Sequence, residues 1–274
     1  MKKNFIVPHD FTEVANIALA HAVTTAKKVG ASIHLLNVVK DESDISDALK
    51  KLEELSAIHS HDNIEIIPNI RVGRIFEDIG LFAAEHQAEL IFMGTHGAHG
   101  WQHILGSNAL KVVINSSVPF IIVQEKSIKP SGYDSIVVPM DLHKETKQKL
   151  TVVASLAKYF GSQVHVVTPD ESDEFLRHQV ESNIVFAERY FSDRNINMSS
   201  SIVPSHSFDR EVIKYAASVG ADLIAIMNLN KNSFISALTT NYEQNIITND
   251  ALIPTLIVNP TQISNEFSAM FTTY

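Results

Sequence analysis

The sequence predicts an α/β fold: two tandem, doubly wound domains, each on a five-stranded parallel sheet. Three observations carry this reading. Short apolar runs alternate with segments of helical period along the whole chain. Most runs are apolar at every position, as in Leu90-Ile91-Phe92-Met93, which marks strands covered on both faces by helices. The pattern then starts again. Pro139 and Asp141 follow Pro8 and Asp10 at an offset of 131, Gly161 and His165 follow Gly30 and His34 at the same offset, and Pro254 follows Pro119 at 135. A near-constant offset over a domain length signals duplication, and each unit is long enough for its own core.

The elements of the first copy follow in order. Phe5-Ile6-Val7-Pro8 is a short buried strand that ends at His9-Asp10. Thr12 is placed to cap a helix carrying Val14, Ile17, Ala18, His21 and Ala22 at helical spacing, and Gly30 stops it. Ser32–Val39 is the second strand. A polar stretch from Asp41 to His61 holds a helix with Leu49, Leu52 and Leu55 on one side. Ile64–Val72 is the third strand, broken by Gly73, and a helix runs from Ile75 to His86. Leu90–Met93 is the fourth strand, Ala109–Asn115 a short helix, and Pro119–Val123 the fifth strand. The boundaries this implies are a first domain over 1–126, a linker of polar and turn-forming residues over 127–133, a second domain over 134–260 and a polar tail over 261–274.

Bulk properties narrow the function classes. At 274 residues the chain suits two domains of about 130 residues each. A net charge of -9 leaves no excess of Lys and Arg for a general nucleic-acid or anionic-membrane binder. No apolar run reaches the roughly 18 residues of a spanning helix. The N-terminus enters a strand without an apolar leader core, so no export signal is expected. The absence of cysteine removes disulfides and thiolate chemistry and suits a reducing cytoplasm, the expected location.

The stretch that organises the rest is Met93-Gly94-Thr95-His96-Gly97-Ala98-His99-Gly100, closing on Leu105-Gly106-Ser107-Asn108. Strand, glycine-rich loop and helix start present main-chain N–H groups to an anion. Bare glycines allow close approach, and Ser107 can cap the helix with its hydroxyl facing a phosphate. His96, His99 and His103 are spaced so that they could meet around a divalent ion. No carboxylate or cysteine joins them in that window, so no metal site is assigned. Trp101 reads as loop packing or as a lid.

On Val7-Pro8-His9-Asp10-Phe11-Thr12, on Met93-Gly94-Thr95-His96-Gly97 and on Gly106-Ser107, the chain resembles a tandem universal stress protein, over roughly residues 2–125 and 134–260. The resemblance implies the adenine-nucleotide alpha-hydrolase-like fold with strand order 3-2-1-4-5. It implies a first domain that binds ATP, or AMP or ADP, with Mg²⁺ as an accompanying ion. Asp10 and the backbone of Val38 would hold the adenine. Gly94 would line the ribose and first phosphate, Gly97, Gly106, Ser107 and Asn108 would hold the phosphates, and Pro8 and Met93 would join them as cofactor-binding residues. Eight residues separate Gly97 from Gly106, where the family's nucleotide-binding branch has nine. The resemblance also implies that the two fifth strands pair edge to edge as an intramolecular pseudo-dimer, which would hide two apolar edges. Dimerisation of the whole chain is left open.

The second copy departs from this pattern. Its counterpart of the glycine loop, Met227-Asn228-Leu229-Asn230-Lys231-Asn232-Ser233, has no glycine. The expected amide nest is lost, and weak or no ATP binding is expected there, with Lys231 as a candidate anion partner. No catalytic residues are assigned. Gly-x-Ser-x-Gly is absent, no Walker-type Lys-Ser/Thr follows the glycines, and no Lys or Arg lies between Gly94 and Ser107. The expected role is nucleotide-dependent partner binding in a stress response. A nucleotide-independent scaffold and a slow ATPase or self-phosphorylating enzyme stand as alternatives.

Overall fold

The computed structural model describes residues 3–59, 64–95, 112–113, 116–140, 147–228 and 242–260. In the first half, β1 (Lys3–Pro8), β2 (Ala31–Val39), β3 (Ile66–Val72), β4 (Leu90–Gly94) and β5 (Phe120–Val123) alternate with α1 (Glu13–Val29), α2 (Ile45–Ile58) and α3 (Ile75–Glu85). The second half contributes β6 (Ser135–Pro139), β7 (Gln163–Asp170), β8 (Met198–Pro204), β9 (Leu223–Met227) and β10 (Thr255–Val258). With them run α4 (Lys149–Phe160), α5 (Glu174–Ser192), α6 (Phe208–Ser218) and the short α7 (Tyr242–Ile247).

All ten of these strands form one sheet, in the order β3-β2-β1-β4-β5-β10-β9-β6-β7-β8. Each half has the order 3-2-1-4-5, and every pair within a half is parallel. The halves meet where β5 and β10 pair antiparallel, with Ile121 opposite Leu256. The sequence explains why both faces are covered. Phe5 and Val7 point to the face carrying α1 and α4, and Ile6 points to the face carrying α3 and α6. Along β5 the same alternation sends Ile121 and Val123 one way and Phe120 and Ile122 the other. Each face has a core that continues across the β5–β10 seam without a break, so residues of both halves pack together.

Local signals set the helix ends. The Thr12 hydroxyl accepts from Ala15 N at 3.4 Å and caps α1. Gly30 ends α1 at φ 72° and Gly161 ends α4 at φ 71°, the left-handed cap that a β-carbon disfavours. The expected helix from Ala109 lies mostly outside the described residues. Val112 and Val113, which are described, are helical and buried against the second core.

Two amide side chains fasten the seam in a pseudo-symmetric way. Gln124, the residue after β5, donates from Nε2 to the Asn249 carbonyl at 3.1 Å. Asn259, the residue after β10, donates from Nδ2 to the Ser116 carbonyl at 2.7 Å and to the Val113 carbonyl. Its Oδ1 accepts from Asn228 Nδ2 at 2.7 Å. Asn259→Ala would strip these buried groups of partners, so a loss of about 2 kcal/mol in folding stability is expected by denaturant titration. An unchanged midpoint would show that the seam rests on strand pairing alone.

Candidate functional site

The sheet reverses direction of growth between β1 and β4. The β1–α1–β2 crossover builds outward on one side, and the chain then returns past β1 to lay down β4 and β5 on the other. Crossovers diverge at such a point and leave a crevice beyond the strand ends, where ligands of open α/β sheets bind. Here the crevice is an open cleft beyond the ends of β1, β2 and β4.

Five segments line it. β1 supplies Pro8 and the loop after it His9, Asp10 and Thr12, the first turn of α1 supplies Val14 and Ala15, and β2 supplies Leu36, Asn37 and Val38. The first turns of α3 supply Ile75 and Ile79, and the end of β4 supplies Met93 and Gly94 with Thr95 after it. Five of the nine residues expected at a ligand site, Pro8, Asp10, Val38, Met93 and Gly94, therefore share one cleft. Gly97, Gly106, Ser107 and Asn108 lie outside the described residues. So do His96, His99, Trp101 and His103 in the first half, and Asp141 and Lys231 in the second.

The loop after β1 is tightly bonded. Asp10 is exposed, and its Oδ1 accepts from Thr12 Oγ1 at 2.5 Å and Thr12 N at 3.2 Å. That is the local turn an Asp makes ahead of a helix. Among the described residues its Oδ2 has no partner, and Asp10 is one of the residues lining the cleft. Phe11 sits at φ 67°. Asn37 Nδ2 donates to the His9 carbonyl at 2.7 Å and ties the end of β2 to this loop. The Thr95 N–H and hydroxyl both donate to the Val123 carbonyl, at 3.0 and 3.2 Å, which fixes the far wall. Burial lowers the pKa of His9, against the opposing pull of the Asn16 hydrogen bond and the Asp10 charge. No Lys or Arg is among the described lining residues. Among the described residues no group of three or more His, Asp or Glu could hold a metal ion.

Gly94 has a packing reason besides any ligand. A β-carbon there would lie 2.8 Å from the Val14 carbonyl oxygen and 2.9 Å from its carbon, so the glycine lets β4 and the first turn of α1 close on each other. His9, Asn37, Ile75 and Ile79 also line the cleft and were not singled out from sequence. Asn37 left a readable trace, as the one polar residue in Leu35-Leu36-Asn37-Val38-Val39.

The equivalent corner of the second half is built differently. Met140 N donates to the Val167 carbonyl at 2.8 Å, matching His9 N to the Leu36 carbonyl at 2.8 Å. The buried Lys149 donates from Nζ to the Pro139 carbonyl. At the offset of 131 its counterpart in the first half is Ala18. A lysine side chain thus reaches the end of β6 where the first half has a methyl group.

Fold and site define the class: a duplicated, doubly wound α/β protein with an open switch-point cleft in its first half. Residues 1–124 match the model of the universal stress protein family. The chain's second half, of the same topology, fits a tandem arrangement. The chain is 28% identical over 150 residues to a universal stress protein of Methanocaldococcus jannaschii, covering 45% of this chain and 82% of that one. It is 25% identical over 143 residues to universal stress protein G of Escherichia coli O157:H7, covering 45% of this chain and all of that one. The crystal structure of a universal stress protein from Archaeoglobus fulgidus superposes with a TM-score of 0.75 at 18% identity, over 94% of this chain and 97% of the other. The likeness in fold thus extends through both halves. No described helix is long and apolar enough to cross a membrane.

Proposed function

We propose that the first half binds an adenine nucleotide, ATP in the first instance, in the cleft between β1 and β4, and that the bound state alters how the protein meets its partners during stress. The observation that carries this is the convergence of Pro8, Asp10, Val38, Met93 and Gly94 on one cleft at the switch point. Those residues come from three separated stretches of sequence. The purine would lie between Asp10 and the backbone of Val38, with the phosphates directed to the glycine-rich stretch Gly97–Asn108. Mg²⁺ would accompany the phosphates. AMP and ADP, which share the purine contacts, would bind with fewer phosphate contacts.

In this reading the protein is a binding module of the cytoplasm rather than an enzyme. Among the described residues the lining offers no cation to stabilise a phosphoryl-transfer transition state. Residues 1–126 and 134–260 act as two domains joined by 127–133, and the β5–β10 pairing makes them an intramolecular pseudo-dimer. The second domain, with no glycine in its loop and Lys149 at the end of β6, serves the assembly rather than ATP. Titration calorimetry of ATP into the whole chain and into Gly97→Lys tests the assignment. Binding that falls at least about tenfold in the variant supports it, and equal affinity in both removes the phosphate site. A nucleotide-independent scaffold would show no heat and no thermal shift with either protein.

A further inference from the structure

We infer that His9 is a positioning residue of this cleft: its neutral imidazole accepts the main-chain N–H of Phe11, and that bond sets the loop carrying Asp10 for the ligand. The inference rests on the nucleotide reading above.

His9 is buried and held at each of its polar atoms. Its N–H donates to the Leu36 carbonyl at 2.8 Å, and its carbonyl accepts from Asn37 Nδ2 at 2.7 Å. Phe11 N lies 3.1 Å from Nδ1, and Asn16 Oδ1 lies 3.1 Å from Nε2. An amide N–H can only donate, so Nδ1 carries the lone pair, and Nε2 carries the hydrogen and donates to Asn16. The ring therefore bridges over Asp10, from the end of β1 to α1 on one side and to Phe11 on the other. Phe11 needs that hold, because its φ of 67° is a conformation a β-carbon disfavours.

The second half shows what the imidazole is not for. Met140 stands at the same place and keeps the same 2.8 Å strand-end bond, so the strand end does not require a histidine. What Met lacks is a good acceptor for the N–H two residues on. The imidazole stands in the first half, beside the cleft described above.

Protonation would put a hydrogen on Nδ1, facing the Phe11 N–H, and the bond would be lost. Among the described residues the charged group acting on the ring is Asp10 on its own loop. Lys51 of α2 lies one ring further out, 5.2 Å from the centre of Phe11. Asn16 of α1, Asn37 of β2 and Thr95 of β4 are neutral, and the α3 side chains in the cleft, Ile75 and Ile79, are apolar. Burial favours the neutral ring, so the loss is expected on the acid side of the ordinary histidine value of 6.5.

The test is ATP titration calorimetry on the full chain from about pH 8 to about pH 5, with His9→Asn and His9→Met beside the wild type. Asn offers a non-titrating oxygen that can accept an N–H two residues on. Wild-type affinity should fall by about fivefold or more with acid. His9→Asn should bind near wild type at neutral pH and lose the His-dependent part of the slope. What it keeps comes from the terminal phosphate of ATP, which titrates near pH 6. His9→Met should bind at least about fivefold more weakly at neutral pH, while circular dichroism shows it folded. Wild-type affinity in His9→Met, or an unchanged acid slope in His9→Asn, overturns the inference and leaves the nucleotide reading standing. No ATP binding by the wild type at any pH overturns both.

Discussion

Lowering the pH from about 7 to about 4 is expected to remove ~3 kcal/mol of folding stability through His21 alone. His21 lies on α1 with both ring nitrogens engaged, Nδ1 2.9 Å from the Tyr133 hydroxyl and Nε2 3.0 Å from the Lys126 carbonyl. Only Nε2–H can serve the carbonyl, so Nδ1 accepts from Tyr133. Burial lowers the pKa of His21 from 6.5 to about 4, and the Lys126 charge adds to this against the hydrogen bond to its carbonyl. Between those values the unfolded chain binds a proton that the folded chain excludes. Stability is therefore complete above 6.5 and declines as the pH falls toward about 4. His9, His34 and His165 are also shifted down by burial and act in the same direction. Denaturant titration of the wild type and of His21→Leu at both ends of the range separates the terms. The variant should be less stable at neutral pH and should show an acid slope smaller by about 3 kcal/mol over the range. Equal slopes would mean that His21 is reached by solvent.

That histidine closes a latch between the halves. Tyr133 is fully buried, and Lys126 donates from Nζ to the Ala221 carbonyl at 3.2 Å. Asp222, in the second half, takes the Asp134 and Ser135 N–H groups at 3.0 and 3.2 Å and the Lys129 ammonium at 2.6 Å. The link that the sequence marks as polar and turn-forming is thus pinned at its start and its end.

Gly94→Ala is the second large effect. The new methyl group would meet the Val14 main chain at 2.8 Å, an approach that no side-chain rotation relieves. α1 or β4 must move, at a cost of about 3 kcal/mol, the upper end for overpacking. Because Val14 and Gly94 both line the cleft, ATP affinity should fall as well. Gly30→Ala and Gly161→Ala are the controls. Nothing lies within 4 Å of either added methyl, and each meets only left-handed strain, about 1 kcal/mol with the cleft intact. If Gly94→Ala costs no more than these, the close packing of β4 on α1 is wrong.

The parts that were legible in the sequence are local or periodic. Thr12 as a cap, Gly30 and Gly161 as stops, and the apolar runs as doubly covered strands are all dictated within a few residues. The duplication was legible as a fixed offset, and strand order followed from family resemblance. Pro8, Asp10 and Gly94 could be placed at one cleft because they end strands next to the switch point. The pairs that hold the halves together left no such trace. His21 meets Tyr133 across 112 residues, and Asn259 meets Ser116 across 143. Neither pair belongs to a period or motif. Gly94 shows a different limit, since a glycine expected for a ligand also has a steric cause that only tertiary packing reveals. The imidazole of His9 was hidden between two residues whose roles were easier to read.

The central claim is that a purine occupies the cleft between β1 and β4 of the first half. A crystal grown with saturating ATP and Mg²⁺ tests it most directly. The account predicts density for the base between Asp10 and the Val38 backbone, with the phosphates running toward Gly97–Asn108, and no nucleotide at the end of β6. An empty first-half cleft in that crystal, or nucleotide bound only in the second half, would contradict it.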